Sequence, residues 1–280
     1  MAQTRALSRI LAGGAAVLAA TCAPAFAQAE RSEVTVGVGG AILPSYNGSD
    51  DYKVTPGVFV RGKVAGFPFF ARGTNLHVDL IRNDDSDGLD IGLGPVVSAR
   101  FDRTGGIKDS RVKALGKLDT AWEVGGWAGI AKTGVLTSDY DNLSFRAAYV
   151  ADIGGAHKSY VITPAVEYVM PLSEKTLVGF SLSADYVGKR FGGYYFNITP
   201  TGSSASGLNA YAGAGKAGFA KFNAGVLAAQ SLSGDLRKGW AVFAGAGYGR
   251  LLGRYADSPI VKDAGRRDQW LGGLGIAYTF

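Results

Sequence analysis

Apolar residues along this chain recur at every second position. Counting back from Phe280, Tyr278, Ile276 and Leu274 share one face, with Trp270 further along it, while Thr279, Ala277, Gly275 and Gly273 fall on the other. Leu89, Ile91, Leu93, Val97 and Phe101 alternate in the same way with Asp90, Gly92, Gly94, Ser98 and Arg100. Trp122, Val124 and Ile130 alternate with Glu123 and Gly125, and Val178, Phe180, Leu182 and Tyr186 with Ser181, Ser183 and Asp185. Period two places successive side chains on opposite faces of a strand, whereas a helix would group apolar residues three and four apart. The pattern predicts strands over 33–42, 53–64, 67–82, 88–103, 117–131, 142–153, 158–170, 175–188, 193–198, 216–230, 238–251 and 267–280. That makes twelve, with ten as the alternative because 193–198 is short.

Alternation admits two architectures: a soluble sandwich or barrel with its apolar face inward, or a membrane barrel with the apolar face toward lipid. Three features favour the membrane version. The strands are long enough to cross a bilayer at a tilt. The non-apolar face is rich in Gly, Ala and Ser, which suit a crowded lumen. The chain also ends in Phe280 on the apolar face with Tyr278, Ile276 and Leu274, an ending that resembles the signal read by the outer-membrane assembly machinery. The expected fold is therefore all-β, a transmembrane antiparallel up-and-down β-barrel. It is expected in the outer membrane of a Gram-negative bacterium, in contact with lipid and lipopolysaccharide. An even strand count returns both ends of the barrel to the periplasm. In this register 43–52, 132–141, 199–215 and 252–266 are outer loops, and 64–66 and 154–157 are periplasmic turns. The stretch 104–116 is then long for a periplasmic turn and 171–174 short for an outer loop. Phe67, Phe69, Phe70, Tyr194, Tyr195 and Trp240 are candidates for the interfacial aromatic girdles.

Composition narrows this further. With 47% hydrophobic and 19% charged residues among 280, and 42 Gly without a three-residue period, the chain is neither disordered nor collagen-like. Arg5 and Arg9, the apolar stretch from Ile10 to Ala20 and Ala25-Phe26-Ala27 predict a secretory leader over 1–27, leaving 28–280 as one barrel domain. Thr21 and Pro24 around Cys22 fit a lipid-attachment site poorly. Loss of the leader lowers the formal charge from +6 to +4 and removes the single Cys, so neither disulfides nor thiol chemistry are expected. No basic cluster suggests nucleic acid.

Several segments resemble the MltA-interacting protein (MipA/OmpV) family of outer-membrane proteins. They are Pro44-Ser45-Tyr46-Asn47-Gly48-Ser49-Asp50-Asp51-Tyr52, Leu118-Asp119-Thr120-Ala121-Trp122-Glu123-Val124-Gly125 and Tyr194-Tyr195-Phe196. Near the end come Tyr248-Gly249-Arg250-Leu251-Leu252-Gly253 and Asp257-Ser258-Pro259-Ile260-Val261, and then Phe280. Asn197 stands where the family more often has Gly. The resemblance implies a non-enzymatic scaffold for peptidoglycan-remodelling enzymes, a lytic transglycosylase and a murein synthase. It implies no catalytic residue and no cofactor. Pro44, Tyr46, Gly48, Ser49, Tyr52, Asp257, Ser258 and Pro259 are the candidate interaction or loop motif. Turn chemistry by Pro, Gly, Ser and Asp is the competing reading.

Other chemistry is thin. His157-Lys158-Ser159 is similar to the His-x-Ser pair of an outer-membrane lipid A deacylase. Glu167, the acid on that strand face, lies eight residues beyond Ser159, roughly 26 Å at strand rise, too far to orient His157. Asn83-Asp84-Asp85-Ser86-Asp87-Gly88 imitates the start of a calcium loop, but Gly94 stands where the bidentate Glu is needed. His77 is alone on its strand, and Gly37-Val38-Gly39-Gly40 and the Gly-rich 212–218 have no following helix to make a phosphate loop. The inward face is expected to carry Asp90, Arg100, Asp119, Glu123, Arg146, Asp152, Glu167, Asp185 and Lys221. Charges of both signs could pair and close the lumen, or line a narrow channel for small solutes, the alternative function.

Overall fold

The computed structural model describes residues 33–82 and 88–280. The expected leader, Cys22 and the acidic turn at 83–87 lie outside the described residues. Twelve strands, β1(Val34–Pro44), β2(Tyr52–Val64), β3(Phe67–Arg72), β4(Asn75–Val78), β5(Leu89–Arg100), β6(Ala121–Thr133), β7(Asn142–Asp152), β8(Tyr160–Pro171), β9(Thr176–Val187), β10(Gly218–Ser231), β11(Gly239–Leu251) and β12(Asp268–Thr279), pair antiparallel in sequence order. β1 pairs with β12, from Thr35 against Thr279 to Ile42 against Gly272, and the sheet closes into a barrel. Five short helices lie in the connections: α1(Ser110–Ala114), α2(Lys189–Phe196), α3(Pro200–Ser206), α4(Gly253–Ala256) and α5(Pro259–Lys262). No helix among the described residues is long and apolar enough to cross a membrane.

The faces sort as expected of a barrel in lipid. Val36, Val38, Val54, Val58, Ile91, Leu93, Phe145, Phe180, Leu182, Leu274 and Ile276 point outward and are exposed, Val54 by 77% and Leu274 by 70%. Thr35, Ala41, Val96, Ser98, Glu123, Trp127, Ser144, Arg146 and Glu167 point inward and are buried. Such a continuous apolar exterior is unfavourable in water and favourable against acyl chains. Small inner residues make room for large ones: a Cβ on Gly92 would lie 2.3 Å from the Trp127 ring, and one on Gly129 2.6 Å from Arg146 Cγ.

Two expected elements are corrected, and they compensate in the count. The segment expected as one strand over 67–82 is a hairpin, β3 and β4, with Arg72 opposite Asn75. Gly73, at φ +60°, takes the first of two turn positions, where a type II′ hairpin needs a residue with positive φ. The expected strand 193–198 falls instead in helix α2 and the residues after it. There Phe191, Tyr195 and Phe196 are buried together, and burial overrides the strand preference of an aromatic run. Each difference reverses chain direction, so every connection between these two segments lies at the end opposite to the one expected. One end gathers residues 45–51, 101–120, 153–159, 188–217 and 252–267, joined by hydrogen bonds such as Asn47–Asp102, Arg103–Tyr195 and Tyr46–Ala264. The other carries Val34, Thr279 and the short turns 65–66, 134–141, 172–175 and 232–238. Thus 104–116 and 154–157 belong to the long-loop end, and 132–141 and 171–174 to the opposite end. The lengths that looked anomalous are resolved by this exchange. Of the expected girdle aromatics, Trp240 is exposed and stacks edge-on with Tyr278, whereas Tyr195 is buried and Phe70 turns inward against Trp127.

The short hairpin leaves one irregularity. β3 pairs with β2 only along Arg61–Val64, so among the described residues the same edge of β2 from Tyr52 to Val60 has no strand partner. The Lys63 amide donates to Glu33 O, so odd-numbered amides of β2 face β1 and even-numbered ones face the open edge. Pro56, which has no N–H, sits in that even set. Tyr52 O at its end accepts from Lys108 Nζ at 2.6 Å.

If the exterior faces lipid, Leu274→Arg near the middle of β12 destabilises the barrel by about 2–4 kcal/mol. Urea unfolding of protein refolded into phospholipid vesicles measures it; an unchanged midpoint would contradict the assignment of that face.

Candidate functional site

The long-loop mouth of the barrel is filled rather than open. Phe191, Tyr195 and Phe196 of α2, Ala214, Tyr255 and Ala256 of α4, and Val261 of α5 form one buried core with Val96, Trp127, Val150, Val161 and Val187 of the barrel wall. A second core joins Tyr46, Val112 of α1, Ile198, Leu208, Ile260 and Ala264. Asp109 caps α1 through the amides of Arg111 and Val112, and Thr199 caps α3 through Gly202 N–H. Asn197, just after α2, accepts from Ala214 N–H at 3.1 Å and so joins the two ends of the 188–217 excursion.

The two motif loops, nearly the length of the chain apart, meet in this mouth. Tyr46 Oη donates to Ala264 O at 2.8 Å, Arg266 N–H donates to Gly48 O at 2.7 Å, and Gln269 Nε2 donates to Ser49 O at 3.1 Å. Gly48, at φ +100°, lies so close to Val261 that a Cβ would stand 2.5 Å from its Cγ2. Burial pushes the Tyr46 hydroxyl above the usual tyrosine range, and nearby Asp109 adds to it, so the group stays a neutral donor. Ser258 Oγ donates to Phe196 O at 2.6 Å, tying α5 to α2. Tyr52 Oη accepts from Trp270 N–H at 3.2 Å. Tyr46, Gly48, Ser49, Ser258 and Pro259 are buried, Pro44 and Tyr52 half-buried, and Asp257 is the exposed member of the eight.

Two inward ion pairs join diagonal neighbours on adjacent strands rather than crossing the lumen. Arg100 on β5 donates to both carboxylate oxygens of Glu123 on β6 at 3.0 Å, and its guanidinium lies 5.1 Å from the centre of the Phe191 ring. Glu123, fully buried, also holds His157 Nε2 at 2.9 Å. Arg146 on β7 pairs with Glu167 on β8 at 2.5 Å and lies over Phe70. Asp185 accepts from Thr163 Oγ1 at 2.9 Å, and Lys221 donates to Asn47 Oδ1 at 3.1 Å. Asp90 faces the same side near the opposite end of β5 and is exposed.

Three expectations change. Asp119 is exposed and lies outside the strands in the 101–120 connection, where its amide donates to Tyr194 Oη. Asp152 faces inward, but its carboxylate accepts the amides of Gly154, Gly155, His157 and Lys158 and organises a turn. His157, in the 153–159 connection, does have an acidic partner, Glu123 on β6, rather than one from β8. Its Nδ1 has no hydrogen-bond partner, so the ring does not reach Ser159 and no triad forms there. Phe70, expected at the girdle, packs in the lumen with His77 and Trp127, and Trp127 is the member that the sequence reading omits. Trp127 was legible as a bulky residue on the glycine face of its strand. Among the described residues no group of three or more His, Cys, Asp and Glu could hold a metal ion.

At the opposite end the 134–141 turn is built around buried Asp141. Its carboxylate accepts the amides of Val135 at 2.6 Å, Leu136 at 3.0 Å, Ser138 at 3.2 Å and Thr137, and the Tyr168 hydroxyl at 2.7 Å. This presents Leu136 and Tyr140 to the outside, 67% and 75% exposed. Burial opposes ionisation of Asp141. The amides of Thr137 and Val135, the Tyr168 hydroxyl and the Leu136 amide outweigh it and hold the carboxyl well below the usual range.

Two outcomes follow from these networks. Glu123→Ala leaves Arg100 without its counter-charge in the packed mouth and costs about 3–5 kcal/mol in urea unfolding, the range for breaking a buried pair. Because the folded carboxyl of Asp141 titrates below its unfolded value, its stabilisation of the turn is complete above about pH 4 and is lost only in stronger acid. Hydrogen exchange should show the amides of 135–138 protected down to that pH, and unprotected at neutral pH in Asp141→Asn.

Solved structures that are similar share little sequence. The CymD monoaromatic hydrocarbon channel is 12% identical, with 89% of each chain covered and a TM-score of 0.39. OmpT of Vibrio cholerae is 9% identical, covering 90% of this chain and 99% of its own, at 0.34. A Pseudomonas aeruginosa FadL homologue is 9% identical, covering 88% and 89%, at 0.31. No curated protein matches. The family model described as MltA-interacting protein MipA matches residues 36–280, from the first strand to the final Phe, and the chain belongs to that family.

Proposed function

We propose that the protein is a non-enzymatic outer-membrane barrel that docks peptidoglycan-remodelling enzymes, a lytic transglycosylase and a murein synthase, at the end bearing its short turns. The observation that carries this reading is the filled mouth: two buried cores block the long-loop end, which suits a rigid platform better than a conduit. The family description, MltA-interacting protein, supports the class of partner. Arg100, Glu123, His157, Arg146 and Glu167 inside are engaged with one another, which among these residues favours a structural over a catalytic role. Docking falls to the short-turn end, where Leu136, Tyr140, Leu172 and Leu232 stand exposed. Tyr140 and Leu136 on a turn held by Asp141 form a pre-organised apolar anchor of the kind that concentrates binding energy.

In planar bilayers the refolded protein should give no steady single-channel steps; regular steps would support the small-solute channel instead. Affinity capture from the cell envelope should enrich a lytic transglycosylase or murein synthase, with the yield reduced about tenfold or more by Leu136→Ser/Tyr140→Ser. Failure to enrich either enzyme would overturn the docking reading.

A further inference from the structure

The long-loop end carries a basic hollow that the buried networks do not use. It measures about 570 Å³ and is lined by Lys158, Ser159, Tyr160, Lys189, Arg190 and Lys216 with small neighbours, and no acid is among the lining residues. The four cations are exposed, and none forms an ion pair among the described residues. Like charges gathered on one concavity repel each other unless an anion lies between them. The local backbone maintains the gathering. Lys158 is held at φ +50° by the Asp152 carboxylate, which accepts its amide at 2.8 Å. Lys189 and Arg190 open α2, whose N-cap Gly188 supplies no side-chain acceptor, so the positive end of that helix adds to the hollow.

Its height on the barrel points to the source of the anion. Tyr160 stacks on Tyr149 at 5.8 Å, and Tyr186 meets Phe219 edge-on at 5.3 Å. These four aromatics belong to the outward faces of β7, β8, β9 and β10, and exposed Ile153 lies just past the end of β7. Lys158, Lys189 and Lys216 follow or precede them by two or three residues, roughly 7–10 Å at strand rise. Tyrosines mark the interface between hydrocarbon and headgroups. Cations one step beyond them lie at the level of lipid phosphates.

We propose that this hollow binds the phosphate groups of an anionic membrane glycolipid of the lipopolysaccharide type, whose acyl chains lie on the outward faces of β8–β10. The site is separate from the docking end, so it stands or falls independently of the proposed function. The test titrates detergent-solubilised, folded protein with bisphosphoryl lipid A, with dephosphorylated lipid A and with inorganic phosphate, reading bound ligand by native mass spectrometry. The bisphosphoryl form should bind at least about tenfold more tightly than the dephosphorylated one. Each cation removed from the hollow should weaken binding about fivefold, the contribution of one Lys or Arg at an anionic surface. Lys189→Gln/Lys216→Gln therefore loses affinity, whereas Lys189→Arg/Lys216→Arg, which keeps the charge, and Lys113→Gln/Lys117→Gln, away from the hollow, do not. Equal binding of the two lipids would overturn the proposal, as would equal loss in the Gln and Arg pairs. Inorganic phosphate binding as tightly as the lipid would overturn the lipid assignment.

Discussion

Hydrocarbon offers the backbone no hydrogen-bond partner, so a sheet that enters it must satisfy its own N–H and C=O groups. The seam between β1 and β12 meets this requirement where the first described strand joins the last. The side chains along that seam are chosen accordingly. Inward positions are Thr35, Gly37, Gly39 and Ala41 facing Thr279, Ala277, Gly275 and Gly273, small enough for the backbones to lie close, with Thr35 and Thr279 hydroxyls 2.9 Å apart. Outward positions pair Val36 with Tyr278, Val38 with Ile276, Gly40 with Leu274 and Ile42 with Gly272. Every later feature of the molecule assumes that this ladder is complete.

Closure creates an interior that must be filled. The glycine-rich wall could not do it alone, so the chain sends bulk inward in two ways. A few large side chains project from the wall, Trp127 over Gly92, Arg146 over Gly129, and Phe70 against Trp127. The long connections then fold back as α2, α4 and α5 to block one mouth. Buried charge is tolerated where Arg100 and Arg146 each have a carboxylate on an adjacent strand. Arg100 is the hinge between the two systems, since it pairs with Glu123 on the wall and faces the Phe191 ring of the inserted helix. An ion pair of this sort contributes little net stability compared with apolar packing, but removing one partner is costly, so it specifies how the mouth seats.

The two ends of the barrel are chemically different. The short-turn end is compact and presents apolar side chains on turns stiffened by internal acceptors, Asp141 above all. The long-loop end places uncompensated cations at headgroup height. A platform for protein partners on one side and a grip on anionic lipid on the other would fix both the depth and the orientation of the barrel. That requirement does not depend on any passage through the lumen.

Period-two alternation, glycine on the polar face and the terminal aromatic strand were enough to determine the architecture, because exterior and interior impose opposite solvents on alternate residues. Twelve strands were also legible, though through two errors that cancel. Gly73-Thr74 is a turn signal inside an apolar run, and reading it would have divided 67–82. Nothing local distinguishes Phe191–Phe196 from a strand, because its helix exists only when its aromatic face is buried in the mouth. Those two segments set which end each intervening loop occupies, so sidedness was decided by packing rather than by pattern. The acid that holds His157 likewise lies 34 residues away in sequence and one strand away in space. Tertiary structure decided such partners because β-pairing brings together residues whose separation along the chain depends on every turn between them.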